Sequence, residues 1–266
     1  MNARREMGSM LAGQIAIVTG SGEGIGAGIA TTLGEFGAKV AITDIDLSRA
    51  QRRVEILASQ GIESMAVQHD VTDGESGKRL VQQVLSAYGR VDLLVNNAGI
   101  SGRVPLEEMS DQVWDSMIGV NLTGVQRTSR AVVPVMKEQR GGNIVSISSV
   151  AGRSGKANMT HYCSTKFGVI GFSQSLALEL APFDVRVNSV CPGIVRTQMW
   201  EVELGEISEA KGISIEEAWE MVLSGIPLHR SQLPEDIGAA VAFLASPLAK
   251  NITGQALNVD GGFELS

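Results

Sequence analysis

Short apolar runs rich in β-branched residues alternate with longer amphipathic stretches along almost the whole chain. This alternation predicts repeated β-α-β units, which build a parallel sheet with helices on both faces. Strands are predicted at residues 14–19, 39–43, 63–69, 93–96, 143–148, 185–190 and 255–259. Helices are predicted at residues 24–36, 48–59, 74–88, 111–138, 160–180 and 234–245, with a kink at Pro134 in the fourth. We therefore expect an α/β fold with one doubly wound, seven-stranded parallel sheet.

One stretch departs from this rhythm. Between the sixth strand and the last helix, about 30 residues carry no strand pattern, and Ile215, Trp219 and Val222 recur there at helical spacing. Insertions after the carboxyl end of a strand lie where open α/β sheets bind their ligands. We expect a helical substrate flap at about residues 198–228, with an additional packing helix as the alternative.

Length and composition favour one domain. The chain has 266 residues, and α/β sheets of this size commonly fold as a single unit with an ample core. A hydrophobic content of 44% with 31 glycines suits a tightly packed parallel sheet with many turns between strands and helices. We expect this domain at residues 13–266, after a flexible extension at residues 1–12.

Charge and cysteine usage argue against several classes of partner and site. A net charge of −7 and a pI near 5.1 disfavour nucleic acid or an anionic membrane surface as the main partner. Residues 1–10 lack the apolar stretch of a signal peptide, which predicts a cytoplasmic protein. Cys163 and Cys191 are predicted to be free thiols, and the three histidines lack metal-ligand spacing, so no metal site is expected.

A glycine-rich run follows the first predicted strand and opens the first predicted helix. It reads Thr-Gly-Ser-Gly-Glu-Gly-Ile-Gly at residues 19–26. A strand, a glycine turn and a helix start in this order are typical of a cradle for a dinucleotide pyrophosphate. In such a cradle, Gly20 permits the turn, Gly24 the approach of the phosphates, and Gly26 the close packing of helix on strand. The run predicts a Rossmann-type nucleotide-binding fold.

Asp44 ends the second predicted strand, 18 residues after Gly26. A carboxylate there can accept hydrogen bonds from both hydroxyls of an adenosine ribose, and it repels a 2′-phosphate. The glycine turn carries Glu23 and no lysine or arginine, so the pattern offers no cation for NADP. We therefore predict NAD as the cofactor. A helix cap or a turn residue is the alternative role for Asp44, and Asp46 could take the capping role or share the ribose.

Ser149, Tyr162 and Lys166 form a Ser-x12-Tyr-x3-Lys pattern. A tyrosine serves as a base near neutral pH only when its phenolate gains roughly 4 kcal/mol of preferential support. A lysine ammonium about 4 Å away supplies ~4 kcal/mol at an effective dielectric constant of about 20, and i, i+4 spacing places both side chains on one helix face. The pattern predicts hydride-transfer chemistry, with Ser149 bonding the substrate oxygen. An exposed helical pair is the alternative for Tyr162 and Lys166.

Together these motifs resemble those of the short-chain dehydrogenase/reductase family, and the resemblance spans residue 14 to about residue 263. Its motifs occur in the family's order: Thr19-Gly-x3-Gly-x-Gly26, Asp70-Val71, Asn96-Asn97-Ala98-Gly99 and Pro192-Gly193-x3-Thr197. The resemblance implies an adenine contact at the second motif and a contact with the nicotinamide carboxamide at the fourth. The implied cofactor-binding residues are Gly20, Gly24, Ile25, Gly26, Asp44, Asp70, Val71, Asn97, Ala98, Gly99, Tyr162, Lys166, Pro192, Gly193, Val195 and Thr197.

The resemblance also implies a catalytic set of four residues. Tyr162 would be the acid/base and Lys166 would bind the ribose. Ser149 would polarise the substrate, and Asn121 would hold the water of a proton relay. Ser148 competes with Ser149 because both hydroxyls lie at the carboxyl end of one strand, although the family spacing to Tyr162 favours Ser149.

Two of the implied residues have alternative local roles. Asn121 is a poor helix former inside a predicted helix, and its alternative is a local kink or a buried hydrogen bond. Thr197 could cap the first helix of the flap, which does not exclude a contact with the carboxamide. The resemblance further implies a homotetramer, built on the predicted helices at 111–138 and 160–180 and on the last strand with its tail.

The flap bears on the substrate. Seven glutamates stand there against the single Lys211, namely Glu201, Glu203, Glu206, Glu209, Glu216, Glu217 and Glu220. This charge disfavours strongly anionic substrates, unless the glutamates lie on a solvated outer face. The C-terminal half is also similar to NAD-dependent polyol and diol dehydrogenases of the family.

We therefore expect an NAD-dependent oxidoreductase that interconverts a secondary alcohol, such as a polyol, sugar or diol, and its ketone. The close alternative is a 3-oxoacyl-carrier-protein reductase, which generally resembles an NADP enzyme with a basic residue in the glycine turn. An alternative of another class is a non-catalytic dinucleotide-binding sensor or scaffold, although such proteins tend to lose the tyrosine or the lysine.

Overall fold

The computed structural model describes residues 10–195 and 198–265. Its centre is a seven-stranded sheet whose strand pairs are all parallel in this part of the chain. The strands are β1 (Ile15–Val18), β2 (Lys39–Asp44), β3 (Ser64–Gln68), β4 (Leu93–Asn96), β5 (Gly142–Ile147), β6 (Val185–Pro192) and β7 (Ala256–Val259). Their order in the sheet is β3-β2-β1-β4-β5-β6-β7, which confirms the predicted doubly wound sheet.

Helices connect the strands and cover both faces of the sheet. They are α1 (Gly24–Glu35), α2 (Leu47–Ser59), α3 (Ser76–Tyr88), α4 (Asp111–Ile118), α5 (Gly124–Gln139), α6 (Thr160–Leu180), α7 (Gln198–Lys211), α8 (Ile215–Ser224) and α9 (Pro234–Ala245). Short 3-10 turns lie at Leu106–Glu108, Val150–Gly152, Ala181–Phe183 and Pro247–Ala249. Across the described ranges, no helix is both long enough and apolar enough to cross a membrane.

The long fourth helix predicted at residues 111–138 is interrupted. Helix α4 ends at Ile118, and a single π-helical turn, Gly119–Thr123, precedes α5. Such single turns occur frequently at functional sites. Helix α5 continues through Pro134, so the observed irregularity lies at Gly119–Thr123 and not at the proline. The local kink given as an alternative role for Asn121 is thus present as a π turn, although helical periodicity alone did not indicate it.

The sheet is buried on both faces because successive side chains of a strand point to opposite sides. On one face Val18 packs in a cluster with Leu33 of α1 and Val241 of α9. On the other face Ile17 packs in a cluster that includes Met136 of α5. These side chains are fully buried, and each contributes roughly 1.5–3 kcal/mol of hydrophobic stabilisation.

The described part of the predicted N-terminal extension is packed rather than free. Leu11 is fully buried, and its N–H donates to the carbonyl oxygen of Phe36 at 2.8 Å. Leu11 therefore belongs to the packed domain, so the flexibility expected for residues 1–12 does not hold at this position.

The predicted flap consists of α7 and α8. Leu204 of α7 and Trp219 of α8 pack with Ile226 in a small cluster separate from the two that line the sheet. Helix α8 begins with a capping box, in which Ser214 Oγ accepts from the Glu217 N–H and the Glu217 carboxylate accepts from the Ser214 N–H. The flap thus has its own core and its own helix start.

The sheet order creates a crevice at the carboxyl ends of the strands. Strand β1 pairs with β2 on one side and with β4 on the other. The chain therefore adds β2 and β3 on one side of β1 and then returns to add β4 and the later strands on the other side, with all strands still parallel. The loops after these strands diverge to opposite faces and leave a gap between them, which is where doubly wound sheets bind ligands.

Candidate active site

The glycine turn after β1 depends on the absence of side chains. Gly20 and Gly24 adopt positive φ angles of 60° and 59°. A Cβ atom on Gly26 would lie 2.3 Å from the Gly20 oxygen and 2.5 Å from Asn97 Nδ2. The Asn97 amide in turn donates to the carbonyl oxygens of Thr19 at 2.9 Å and Gly20 at 3.0 Å. The turn is therefore locked against the end of β4, as a phosphate cradle requires.

The start of α1 is left available to an anion. Glu23 precedes the helix and makes no side-chain cap, so the first N–H groups of α1 keep their capacity to donate. The partial positive charge of a helix N-terminus adds to this capacity. The same turn lines the cleft through Gly20, Glu23, Gly24 and Ile25.

Asp44 stands beside the glycine turn, at the end of β2. A Cβ atom on Gly22 would lie 2.8 Å from Asp44 Oδ2, and the Asp44 side chain is 8% exposed. Asp46 takes the capping role instead, because its carboxylate accepts from the Ser48 N–H at 2.9 Å at the start of α2. The Ser48 hydroxyl, which donates to the same carboxylate at 2.7 Å, and then the Ser48 N–H lower the pKa of Asp46. Asp44 Oδ1 accepts from the Asp46 N–H at 3.1 Å, which is the bond of a turn residue, and the Asp44 side chain also lines the cleft.

Arg49 is a cation near Asp44 that sequence reasoning missed. It lines the cleft, with Nε 3.8 Å from Glu23 Oε1 and 3.6 Å from Asp46 Oδ2. The expectation that this end of the site offers no cation is therefore wrong. The signal was present in the sequence, since the first turn of a helix that follows a strand end lies close to that end.

The next strand end carries Asp70 and Val71, which line the same cleft beyond Asp44. The Asp70 carboxylate is held by the Thr72 N–H at 2.8 Å. His69, which the sequence did not single out, lies directly before them with its ring nitrogens 2.9 Å from Ser76 Oγ and 3.1 Å from Thr128 Oγ1. Burial lowers the pKa of His69 to about 4, so its ring is neutral at physiological pH.

Tyr162 and Lys166 meet near the end of β5. Lys166 Nζ donates to the Ile147 carbonyl oxygen at 3.0 Å and lies 5.5 Å from the centroid of the Tyr162 ring. Lys166 is 6% exposed, and burial lowers its pKa to about 8, an effect that the Cys191 sulfur partly opposes. The exposed-pair alternative for Tyr162 and Lys166 is therefore wrong.

The two serines at the end of β5 have different partners. Ser148 Oγ donates to the Lys166 carbonyl oxygen at 2.8 Å, so its hydrogen is already used. Ser149 Oγ accepts from the Ala151 N–H at 3.1 Å, which leaves its own hydrogen for a further acceptor. This difference favours Ser149 as the group that donates to a substrate oxygen.

Asn121 lies in the π turn with its side chain buried. Its Oδ1 accepts from the Ile100 N–H and its Nδ2 donates to the Ile100 carbonyl oxygen, both at 2.8 Å. The buried hydrogen bond expected as an alternative role is thus present. A Cβ atom on Gly99 would lie 3.3 Å from Asn121 Oδ1 and 3.8 Å from Lys166 Nζ, so both residues face the space beside Gly99.

The end of β6 forms the last wall of the cleft. Pro192, Gly193 and Val195 line it, and the Gly193 N–H donates to the Val259 carbonyl oxygen at 3.1 Å. Thr197 and its expected contact with the carboxamide lie outside the described residues. Cys191, one residue before this wall, is a buried free thiol.

These strand ends enclose one cleft with a volume of about 730 Å³. The residues singled out from the sequence that line it are Gly20, Gly24, Ile25, Gly26, Asp44, Asp70, Val71, Asn97, Ala98, Gly99, Ser149, Tyr162, Lys166, Pro192, Gly193 and Val195. Trp200 of α7 also lines the cleft and packs edge-on against Trp219 of α8, with ring centroids 6.3 Å apart. The flap therefore reaches the cleft through an aromatic ring that the sequence analysis did not name.

The flap glutamates that can be placed lie away from the cleft. Exposed glutamates are Glu209, Glu216, Glu217 and Glu220. The side chains of Glu201, Glu203 and Glu206 lie outside the described part of the chain. The placed glutamates form a solvated outer face, so they do not bear on substrate charge. In the described ranges, no group of three or more His, Cys, Asp or Glu side chains is placed to hold a metal ion.

Comparison with known proteins decides the family. A family model described as "Enoyl-(Acyl carrier protein) reductase", one of the short-chain dehydrogenase/reductase models, matches residues 20–264. The chain belongs to the short-chain dehydrogenase/reductase family. This match covers the glycine turn, the cleft and the flap together.

Several members of the short-chain dehydrogenase/reductase family are similar over nearly the full chain. A 3-oxoacyl-[acyl-carrier-protein] reductase of Staphylococcus aureus is 40% identical over 93% of this chain and 96% of its own. The enzyme of the same name from Thermotoga maritima is 38% identical over 95% and 98%. An uncharacterised oxidoreductase of Bacillus subtilis is 37% identical over 94% and 98%. The crystal structure of gox2181 superposes with a TM-score of 0.89 at 36% identity, covering 99% of each chain.

Proposed function

We propose that this protein is a nicotinamide-dependent reductase that interconverts a 3-oxoacyl thioester and the corresponding 3-hydroxyacyl thioester. The observation that carries the proposal is the meeting of Ser149, Tyr162 and Lys166 in the cleft beside the glycine turn. The names of the relatives that are 40% and 38% identical support the acyl substrate. They support it better than the polyol, sugar or diol expected from the charge of the flap.

The cleft residues fit a dinucleotide. Any Cβ on Gly26 would collide with the Gly20 oxygen, so this turn keeps the bare backbone that lets a pyrophosphate approach. Asp44 stands where an adenosine ribose would lie, and Lys166 and Tyr162 stand at the opposite end of the cleft. When bound, the nicotinamide ring supplies or accepts the hydride.

Tyr162 moves the proton in this mechanism. In the reducing direction its phenol donates a proton to the substrate oxygen, and in the oxidising direction its phenolate accepts one. The Lys166 ammonium lies 5.5 Å from the ring centroid, a distance at which a unit charge favours the phenolate by about 3 kcal/mol at an effective dielectric constant of about 20. The Ile147 carbonyl oxygen holds the ammonium in this position.

Ser149 stabilises the substrate oxygen. The Ala151 N–H occupies a lone pair of Ser149 Oγ, and the hydroxyl hydrogen can point at the oxygen that gains negative charge. Two donors, Ser149 and Tyr162, then act on one oxygen. Asn121 supports them by holding the loop at Ile100, and we propose that it takes part in the proton relay through the space beside Gly99.

We propose NAD as the cofactor. The Asp44 carboxylate, 8% exposed beside Gly22, would repel a 2′-phosphate and accept from the ribose hydroxyls. Arg49 is the group that would favour NADP, but Glu23 and Asp46 lie within 3.8 Å and 3.6 Å of its guanidinium and offset its charge. Arg52 also lies 3.9 Å from Glu23, and Arg53 Nε donates to the Gly22 carbonyl oxygen at 3.5 Å, so the charges around the turn balance. Among the residues that line this end of the cleft, Glu23, Asp44 and Asp70 outnumber Arg49, which favours NAD.

A small neutral secondary alcohol is the second candidate substrate. Among the cleft-lining residues described near Ser149 and Tyr162, Lys166 is the only cation. An acyl carrier delivers its chain on an arm whose phosphate lies at the end remote from the thioester, and a cationic partner would be expected where that arm enters the cleft. A polyol, sugar or diol needs no such partner.

The test follows nicotinamide absorbance with purified protein, NADH or NADPH, and acetoacetyl-CoA as the 3-oxoacyl thioester. The oxidising direction uses NAD⁺ with a panel of polyols, sugars and diols. We expect NADH-dependent reduction of the thioester, lost in Tyr162→Phe. Turnover of polyols alone would favour the second candidate, and a preference for NADPH would overturn the cofactor assignment. Tight NADH binding without any turnover would indicate a binding protein instead of an enzyme.

We also propose a homotetramer and one domain that extends the expected residues 13–266 back to the packed Leu11, with the flap as a substrate lid. Phe167 on α6 is 48% exposed and Leu257 on β7 is 38% exposed, which supports subunit contacts along these two elements. Sedimentation equilibrium measures the mass directly, and a monomer at micromolar concentration would contradict the tetramer.

A further inference from the structure

Residues 260–264, which follow β7, form a fixed turn that we call the C-terminal strap. The Asp260 carboxylate accepts from the Gly262 N–H at 2.9 Å and from the Glu264 N–H at 2.8 Å. Gly261 and Gly262 adopt φ angles of 69° and 88°, which residues with a side chain rarely adopt. The strap is therefore held in one conformation by its own first residue.

One side of the strap packs against the flap. The Leu228 N–H donates to the Gly261 carbonyl oxygen at 3.1 Å. The Phe263 ring packs in the flap cluster with Trp219 and Ile226. Gly261 approaches Ile226 so closely that a Cβ atom on it would lie 2.7 Å from the side chain. Movement of the flap base is thus transmitted to the strap.

The other side of the strap is bonded to the loop between β5 and α6. The Glu264 carboxylate accepts from Lys156 Nζ at 2.7 Å and also from Ser154 Oγ. The side chains of Lys156 and Glu264 are 28% and 19% exposed, so solvent screens this pair less than a surface pair. The two hydrogen bonds lower the pKa of Glu264, which keeps the carboxylate charged at physiological pH.

A second connection runs in parallel through the main chain of Glu264. Its carbonyl oxygen accepts from Asn258 Nδ2 at 3.0 Å, and Asn258 Oδ1 accepts from Arg153 Nε at 3.1 Å. Lys156 Nζ also lies 5.0 Å from the centroid of the Phe263 ring, a cation–π contact. Three residues of one loop, at positions 153, 154 and 156, are therefore tied to the strap.

This loop carries the proposed catalytic groups at its two ends. Near its start, the Gly152 N–H donates to the Ser149 carbonyl oxygen at 2.8 Å. Near its end, the Met159 N–H donates to the Lys156 carbonyl oxygen at 3.2 Å, and the Cys163 N–H donates to the Met159 carbonyl oxygen at 2.8 Å. A displacement at Lys156 is thus passed to the first turn of α6.

We propose that Glu264 is a positioning residue whose carboxylate holds the loop bearing Ser149 and Tyr162 in a fixed relation to the flap. It acts through Ser154 and Lys156. Because the strap contacts both the flap and this loop, a movement of the flap changes the positions of Ser149 and Tyr162. The proposal rests on the proposed function, because it takes Ser149 and Tyr162 as the groups that act on the substrate. Misalignment of reacting groups by fractions of an ångström lowers rate more than it lowers binding.

The test compares wild type with Glu264→Gln, Lys156→Met and the exchanged pair Lys156→Glu/Glu264→Lys. The matched control is Glu179→Gln, which breaks the 3.1 Å ion pair between Lys137 of α5 and Glu179 of α6. Each protein is assayed for kcat and KM with NADH and acetoacetyl-CoA, for NADH affinity by fluorescence titration, and for amide hydrogen exchange by mass spectrometry.

We expect Glu264→Gln and Lys156→Met to lower kcat by about tenfold with NADH affinity unchanged, because each removes hydrogen bonds to a charged group. The exchanged pair should recover most of that loss, and Glu179→Gln should match wild type. Amide exchange should quicken in Glu264→Gln at residues 150–162 and in α8, and nowhere else to the same extent. A purely structural role would lower NADH affinity and kcat together and would not be rescued by the exchanged pair, which would overturn the proposal.

Failure of the proposed function is distinguishable from failure of this inference. If wild type turns over no substrate, the proposed function fails, and amide exchange alone decides the role of the strap. Faster exchange at both residues 150–162 and α8 in Glu264→Gln would then support the coupling, and unchanged exchange at either would contradict it.

Discussion

Replacing Lys166 by methionine tests the electrostatic part of the mechanism. The ammonium lies 5.5 Å from the Tyr162 ring centroid, and its loss removes about 3 kcal/mol of support for the phenolate at an effective dielectric constant of about 20. Because each 1.36 kcal/mol is a factor of ten in rate, we expect kcat/KM to fall by about 100-fold. Methionine keeps the length of a side chain that is 6% exposed, so packing is preserved.

The same substitution has an opposite effect on stability. Burial lowers the pKa of Lys166 from 10.5 to about 8, so between these pH values the unfolded chain binds more protons than the folded one. Below pH 8 the full burial penalty of the charge, about 3 kcal/mol, acts on wild type. Below pH 8 the free energy of unfolding of Lys166→Met should therefore exceed that of wild type, and this difference in stability should shrink as pH rises to 10.5.

The assay combines steady-state kinetics with urea unfolding at pH values on both sides of 8. Lys78→Met is the control, because Lys78 on α3 has a side chain that is 68% exposed and pairs only with nearby Glu75 in the described contacts. A kcat/KM for Lys166→Met within about threefold of wild type would refute the electrostatic reasoning, since it would place the contribution of Lys166 below about 1 kcal/mol.

Three further substitutions probe other parts of the site. Burial lowers the pKa of His69 from 6.5 to about 4, so the free energy of unfolding of wild type should fall by up to about 3 kcal/mol as pH falls through this window. His69→Gln should show no such fall in urea unfolding. The same dependence of the free energy of unfolding on pH in both proteins would contradict this reasoning. Gly26→Ala places a Cβ 2.3 Å from the Gly20 oxygen and should abolish NADH binding in fluorescence titrations. Gly171→Ala on α6, where a Cβ meets nothing within 4 Å, should bind NADH as wild type does. Equal NADH affinities of Gly26→Ala and Gly171→Ala would contradict the role of the glycine turn as a phosphate cradle. Asp44→Ser should raise the ratio of NADPH affinity to NADH affinity by about 100-fold, and adding Arg49→Ala should reverse this gain. An unchanged ratio in Asp44→Ser would show that Asp44 does not determine cofactor specificity.

The fold was predictable because its signals are local. Each strand is a short β-branched run, and the glycine turn at residues 19–26 marks the switch from strand to helix within a few residues. The helical flap at α7 and α8 was also predictable, since Ile215 and Trp219 recur at helical spacing and both belong to α8. The cleft residues followed from the same logic, because the carboxyl ends of parallel strands share one edge of the sheet.

What the sequence did not reveal depends on contacts between distant residues or on small backbone changes. Helical periodicity passes over the π turn, although Asn121, a poor helix former, had indicated a possible local kink there. Arg49 reaches the cleft beside Asp44 only because α2 starts next to the end of β2, and Glu264 meets Lys156 across 108 positions of the chain. Pleat alternation alone left Ser148 and Ser149 open, the family spacing to Tyr162 favoured Ser149, and the partners of the two hydroxyls agree with that preference.

The central claim is hydride transfer to a carbonyl carbon with Tyr162 as proton donor. The most direct measurement uses NADH carrying deuterium at both C4 positions with acetoacetyl-CoA, and mass spectrometry of the hydroxyacyl product formed by wild type and by Tyr162→Phe. We expect deuterium on the carbinol carbon with wild type and no labelled product with Tyr162→Phe, although both proteins bind NADH equally well. Label transfer that persists in Tyr162→Phe at the wild-type rate would contradict the role of Tyr162, and its absence from both proteins would contradict the proposed reaction.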